Sequence, residues 1–139
     1  MKNSFLHFKL DDKIMKSIKE LGFKRPTPIQ SKVIPHLLLS NQDLIATAQT
    51  GTGKTAAFGL PLLQLTDTKN DSIQTLILCP TRELCLQITK DLTSYSKYLK
   101  KIKITAVYGG ANIQTQIRSL NSGSQIVVGT PGRVIDLIK

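Results

Sequence analysis

Ala48-Gln49-Thr50-Gly51-Thr52-Gly53-Lys54-Thr55 is the stretch that decides how this chain is read. It follows a short apolar run, Asp43-Leu44-Ile45-Ala46-Thr47, and precedes a helix-like one, Ala56-Ala57-Phe58-Gly59-Leu60. Strand, glycine-rich loop and helix, in that order, are the setting a phosphate-binding loop needs. Gly51 and Gly53 permit backbone angles that a Cβ opposes. The loop can then turn its N–H groups inward, toward phosphate oxygens. The helix that follows adds the positive end of its dipole. Lys54 would reach the β- and γ-phosphates, and the Thr55 hydroxyl would hold Mg²⁺. The loop begins with Ala48 where the general pattern has Gly. An ordinary glycine-rich turn before a helix is the alternative these residues leave open.

Working outward, Asp11 or Asp12 can cap a helix to about Leu21, with Ile14, Ile18 and Leu21 at helical spacing. Gly22 ends it. Thr27 caps a second helix with Pro28 at its first position, running to Ser40-Asn41, with Pro35 inside it as a point of bending. Strands and helices then alternate. Strand 43–47 leads to a helix over 53–65, strand 75–79 to a helix over 82–98, strand 104–108 to one over 112–121, and strand 125–128 to one from Thr130-Pro131. The strands are short, nearly continuous apolar runs, as expected where both sheet faces are covered. Four strand-then-helix units predict an α/β fold with a mainly parallel sheet and helices on both faces. No internal repeat or domain boundary is visible. Ligands of such sheets bind at the carboxyl ends of the strands. The segments 48–55, 80–87, 109–110 and 130–133 each follow a predicted strand, so one edge should carry them all.

The 139 residues suffice for one domain with a core, and 40% hydrophobic with 20% charged residues suits a globular fold. No apolar run approaches a membrane span, and the N-terminus has no secretory pattern. The net charge of +10 fits a polyanionic partner such as nucleic acid, or equally an inert basic surface. Lys97, Lys100, Lys101 and Lys103 read as a solvated helix end. Cys79 and Cys85 read as buried small hydrophobes. His7 and His36 have no metal spacing.

Further segments complete a pattern. Gly22-Phe23-Lys24-Arg25-Pro26-Thr27-Pro28-Ile29-Gln30 precedes the loop, and Pro80-Thr81-Arg82-Glu83-Leu84, Gly109-Gly110 and Thr130-Pro131-Gly132-Arg133 follow successive strands. In this order and spacing the chain resembles the first RecA-like domain of the DEAD-box ATP-dependent RNA helicases, over nearly its whole length from Phe5. The resemblance implies a RecA-like P-loop NTPase fold, cofactors ATP/ADP and Mg²⁺, and a cytoplasmic protein. Residues 22–30 look like the family's Q motif. Lys24, Thr27 and above all Gln30 would then serve the nucleotide, with the Gln30 amide paired to the N6 and N7 edge of adenine. Phe5 matches the family's upstream aromatic, which stacks on the base. From the residues alone, Gln30 reads as an exposed polar residue on a first helical turn and Phe5 as core. Phe8 and Phe23 are read as core. The 48–55 loop would supply Ala48, Gln49, Thr50, Gly51, Thr52, Gly53, Lys54 and Thr55 to the nucleotide.

Residues 80–87 (Pro80, Thr81, Arg82), Gly109, Gly110, and Thr130, Pro131, Gly132 and Arg133 look like motif Ia, the GG motif and motif Ib. In the family these hold the backbone of single-stranded RNA. Helix N-termini, Thr hydroxyls and an Arg fork suit phosphate, and none of them reads base edges, so binding should be independent of sequence. Helix capping by Thr81 and Thr130, and a turn at Gly109-Gly110, is the plainer and compatible reading.

The family's Asp-Glu-Ala-Asp segment, Ser-Ala-Thr motif and second RecA-like domain are not among these residues. Asp136 sits in a continuing helix and is no substitute. The resemblance therefore makes residues 1–139 an incomplete first domain of an enzyme that hydrolyses ATP to remodel single-stranded or duplex RNA. The chain alone is expected to bind nucleotide weakly, to be catalytically inactive and to associate through open sheet edges. Two alternatives stand beside this: a P-loop ATPase that is not a helicase, and a basic RNA-binding module without nucleotide use.

Overall fold

The aliphatic and β-branched runs form three strands, β1 (Thr75–Leu78), β2 (Ile104–Val107) and β3 (Ile126–Gly129), in a computed structural model that describes residues 3–139. The order is β1-β3-β2 and both pairings are parallel. β3, hydrogen-bonded on both sides, is buried at all four positions, as a central parallel strand should be. β1 alternates half-buried and exposed, with Leu76 and Leu78 exposed. The expectation of two covered faces holds for β3 and fails for β1. The expected strand 43–47 does not form: its five residues are exposed, Ile45 at 94%. A strand exists only through its ladder to a neighbour, and the sheet's three strands pair with one another alone among the described residues.

The helices are α1 (Asp12–Glu20), α2 (Pro28–Leu39), α3 (Lys54–Leu65), α4 (Arg82–Tyr95), α5 (Ile113–Asn121) and α6 (Pro131–Ile138), after a 3₁₀ turn at Phe5–Phe8. Asp11 caps α1 through its carboxylate, which accepts from the Lys13 N–H at 2.7 Å. Pro35 lies inside α2 without interrupting it.

The described residues fall into two compact units where the sequence offered no boundary. One comprises the residues up to Leu65 with Ser94–Lys100, and the other Thr66–Thr93 with Lys101–Lys139. In the first, Leu10, Ile14, Ile18, Val33, Ile34, Leu60 and Leu63 are buried, and α2 packs on α3. Rings of Phe5, Phe23 and Tyr95 follow one another at 5.9 and 5.8 Å between centroids.

The four lysines are exposed as expected, but they follow α4, which stops at Tyr95, rather than forming its last turn. Lys97 donates to Glu20 Oε2 at 2.8 Å, the Tyr98 hydroxyl donates to Glu20 Oε1, and the Lys16 ammonium lies 4.2 Å from the Tyr98 ring centroid. Lys97, then Tyr98, hold the Glu20 carboxyl below its ordinary 4.5. A depressed carboxyl contributes stability that is present above its unfolded value and lost as pH falls through the folded one. Acidification below about pH 4.5 should therefore loosen this tether, by a small amount because the pair is exposed. Urea midpoints followed against pH check this. Glu20→Gln should flatten the acid limb, and an unchanged limb would contradict the assignment.

In the second unit the registers Leu78↔Gly129 and Val107↔Gly129 end all three strands at one level. Cys79 and Cys85 are buried and unpaired, as expected of small hydrophobes. The Cys85 thiol donates to the Val128 carbonyl at 3.2 Å, and burial pushes its pKa up to about 11. Gly129 is where α6 crosses closest. A Cβ there would lie 2.5 Å from Val134 Cγ2 and 2.8 Å from Val107 Cγ2. Gly129→Ala should therefore cost about 1–3 kcal/mol by overpacking, measured by urea denaturation, and an unshifted midpoint would refute the close approach.

Candidate functional site

The first unit carries the residues assigned to nucleotide. The 48–55 loop is not strand-fed, but it runs directly into α3, which begins at Lys54. Gly51 and Gly53 have φ of 79° and 83°, the left-handed region that a Cβ disfavours. The Thr52 hydroxyl donates to the Gln49 carbonyl at 2.6 Å and shapes the turn. The Lys54 ammonium donates to the Ala48 carbonyl at 2.9 Å, so the lysine closes over its own loop. Thr50 and Gly51 are exposed, and Thr55 sits half-buried in the first turn of α3.

Gln30 joins the Q segment to this loop. It is only 3% exposed, so the reading as an exposed polar residue fails. Its Oε1 accepts from the Thr27 N–H at 2.9 Å while the Thr27 hydroxyl accepts from the Gln30 N–H at 3.4 Å. This is a capping box, and the Thr27-Pro28-Ile29-Gln30 spacing is its signal. Nε2 donates to the Gly53 carbonyl at 3.2 Å. A Cβ on Gly53 would press on that nitrogen, the end of the Gln30 side chain, and the positive φ already favours glycine there. A primary amide has two N–H donors and two carbonyl lone pairs. One of each remains for a ligand.

The structure places Phe5 differently from a stacking platform. Its ring is 3% exposed and packed against Phe8 and Phe23, each at 5.9 Å between centroids. That is the core position its residue type alone suggests, although Phe5 also borders an 800 Å³ cleft with Gly22, Phe23 and exposed Lys24. Lys54 borders a separate 530 Å³ cavity with Ile29, Val33, Asp43, Leu44 and Phe58. Among the described residues no cluster of three His, Cys, Asp or Glu exists to hold a metal. The donor offered to Mg²⁺ by the loop is the Thr55 hydroxyl.

The second unit brings together the residues assigned to RNA. Because the three strands end at one level, 80–82, 108–112 and 130–133 leave the sheet along one edge. Pro80, Thr81, Arg82, Gly109, Gly110, Pro131 and Gly132 are exposed there. Thr81 caps α4 by accepting from the Leu84 N–H at 3.2 Å. Thr130 is the N-cap of α6 but makes no side-chain cap hydrogen bond, so the capping reading holds for Thr81 and not for Thr130. The Arg82 guanidinium lies 4.9 Å from the Tyr108 ring centroid.

Arg133 does not offer an open fork. Its side chain is 12% exposed. Nη1 donates to the Ala111 carbonyl at 3.1 Å and to Gln116 Oε1 at 2.9 Å, with Asp136 at 4.0 Å from Nε. It braces the edge from within. Sequence reading missed Gln116 and Gly129. Gly129, a glycine closing an apolar strand, carried a usable signal of close backbone approach. Gln116 carried none.

A glycine loop feeding a helix N-terminus, in a chain with a parallel α/β sheet, fits the phosphate-loop nucleotide-binding class, although the strand expected before the loop does not form. A sequence model of the DEAD/DEAH box helicases matches residues 27–139. The chain is 54% identical over 134 residues to the ATP-dependent RNA helicase CshA of Listeria monocytogenes, spanning 96% of this chain and 25% of that protein. It is 46% identical over 136 residues to the ATP-dependent RNA helicase DeaD of Escherichia coli K12, spanning 98% of this chain and 22% of that one. The crystal structure of a DEAD box protein from Methanococcus jannaschii superposes with a TM-score of 0.89 at 43% identity, over 98% of this chain and 37% of that chain. The chain belongs to the DEAD/DEAH box helicase family, with an incomplete RecA-like α/β fold. It spans about a quarter of the length of these two helicases.

Gln30→Ala removes half of the capping box and the Gly53 contact, and should destabilise the chain by about 1–2 kcal/mol. Urea denaturation measures this, and full stability in the variant would show both contacts to be incidental.

Proposed function

We propose that this chain binds an adenine nucleotide with Mg²⁺ in its first unit and the backbone of RNA along the strand-end edge of its second. On this reading it forms the nucleotide-binding part of an ATP-dependent RNA helicase, acting with a second RecA-like domain in the cytoplasm. Gln30 carries the reading. Its amide contacts the carbonyl of Gly53 at 3.2 Å, so the group suited to an adenine edge and the loop suited to phosphates form one site. The spare N–H and lone pair of Gln30 match the N7 and N6 positions of adenine, as amide side chains do in base recognition.

The geometry supports the following roles. The N–H groups of the 48–55 loop and the first turn of α3 hold phosphate oxygens. Lys54 leaves the Ala48 carbonyl, its present acceptor, and turns to the β- and γ-phosphates. The Thr55 hydroxyl would hold Mg²⁺, which would supply positive charge to the phosphates. On the second unit, exposed Gly109, Gly110, Pro131 and Gly132 let a phosphate approach the main chain, with Arg82 and Thr130 beside them. On this reading these groups contact the backbone, so RNA of any sequence or strandedness that presents its backbone should bind. The net charge of +10 supports a polyanionic partner. The two unpaired thiols suit a reducing compartment.

Calorimetric titration with ADP·Mg²⁺ and GDP·Mg²⁺ tests the nucleotide reading. ADP should bind at least about tenfold more tightly, Gln30→Ala should abolish the preference, and Lys54→Ala should remove binding of both. Equal affinity for ADP and GDP in the unsubstituted chain would overturn the assignment of Gln30.

A further inference from the structure

The geometry points to Gln116 as a positioning residue for the RNA-backbone edge, an inference that rests on the RNA reading above. Gln116 is 7% exposed and lies on α5, so it does not reach the edge itself. Its Nε2 donates to the Tyr108 carbonyl at 3.1 Å, and its Oε1 accepts from Arg133 Nη1 at 2.9 Å. The same Nη1 donates to the Ala111 carbonyl at 3.1 Å. Tyr108 and Ala111 are the residues on either side of Gly109-Gly110. One amide–guanidinium pair thus pins both ends of the glycine loop.

The pair supplements the Arg82 guanidinium over the Tyr108 ring, because the two glycines bring no side chains of their own to fix the loop. A Cβ on Gly109 would meet nothing within 4 Å, and Gly110 sits at φ 83°. Two consecutive glycines have more backbone freedom than any other pair and lose more on ordering. Arg133 lies in the first turn of α6, so the clamp also fixes the 108–112 loop relative to the N-terminus of α6. A backbone-reading edge depends on that spacing, since its contacts are to successive phosphates. Gln116 acts on RNA through Arg133 and the loop, touching no nucleotide.

The test is binding of a fluorescent single-stranded oligouridylate to the purified chain, followed by anisotropy over a series of salt concentrations. Gln116→Leu keeps the bulk and loses both hydrogen bonds. It should weaken RNA binding about tenfold, since one bond to a charged group is lost. It should also lower the slope of log affinity against log salt by about 0.7 for each phosphate contact displaced. ADP affinity should be unchanged. Gln116→Glu keeps the acceptor for Arg133 but loses the donor to Tyr108, so its affinity and slope should fall between those of Gln116→Leu and the unsubstituted chain, a graded result that a merely structural role would not produce. Melting curves show which variants are folded, and should Gln116→Leu not fold, Gln116→Glu and Arg133→Met decide: both should weaken RNA binding, and wild-type affinity and slope in both would overturn the clamp. A folded Gln116→Leu with wild-type affinity and slope would overturn it too, leaving the RNA reading intact. Absence of RNA binding by the unsubstituted chain would overturn both.

Discussion

β3 is paired in parallel on both sides in one register, and the second unit depends on that pairing. Ile126, Val127, Val128 and Gly129 meet Thr75–Leu78 on one side and Ile104–Val107 on the other. Equal strand ends bring three connections out at one level, so residues far apart in sequence share an edge. Gly129 then matters beyond its own bonds. It is the point where α6 crosses β3, and the crossing allows Arg133 to reach the loop that follows β2. The edge owes its form to a ladder of main-chain hydrogen bonds and its spacing to two buried side chains, Gln116 and Arg133.

The first unit is organised around a different contact. Gln30 satisfies the first turn of α2 with one end of its amide and holds Gly53 with the other. On the proposed reading the capping residue is also the base-reading residue, and the two duties use different lone pairs and protons. On the same reading Lys54, held by the Ala48 carbonyl, exchanges one acceptor for another when a phosphate arrives. That exchange costs little, because the lysine is exposed and its present partner is a single neutral carbonyl.

Much of this was legible in the sequence, for identifiable reasons. Gly51 and Gly53 announced their backbone angles, Thr27-Pro28 announced a helix start, and three apolar runs announced parallel strands. Strand 43–47 looked like the others in composition but formed no ladder, since pairing depends on a neighbour that composition does not reveal. Arg133 looked like an open fork because its residue type suits phosphate. Its burial against Ala111 and Gln116 follows from how α6 crosses the sheet, a tertiary fact. Gln116 was invisible because a polar residue on a helix reads as solvent-facing until its neighbours are known.

The central claim is that adenine nucleotide and RNA occupy two separate sets of residues in this chain. Amide chemical-shift mapping of the isotopically labelled chain tests it most directly, with ADP·Mg²⁺ and a single-stranded oligoribonucleotide added in separate titrations. The account predicts nucleotide-induced shifts at Gln30 and Gly51–Thr55, and RNA-induced shifts at Gly109-Gly110 and Thr130–Gly132. Shifts from both ligands on the same residues, or RNA shifts confined to scattered surface lysines, would contradict it.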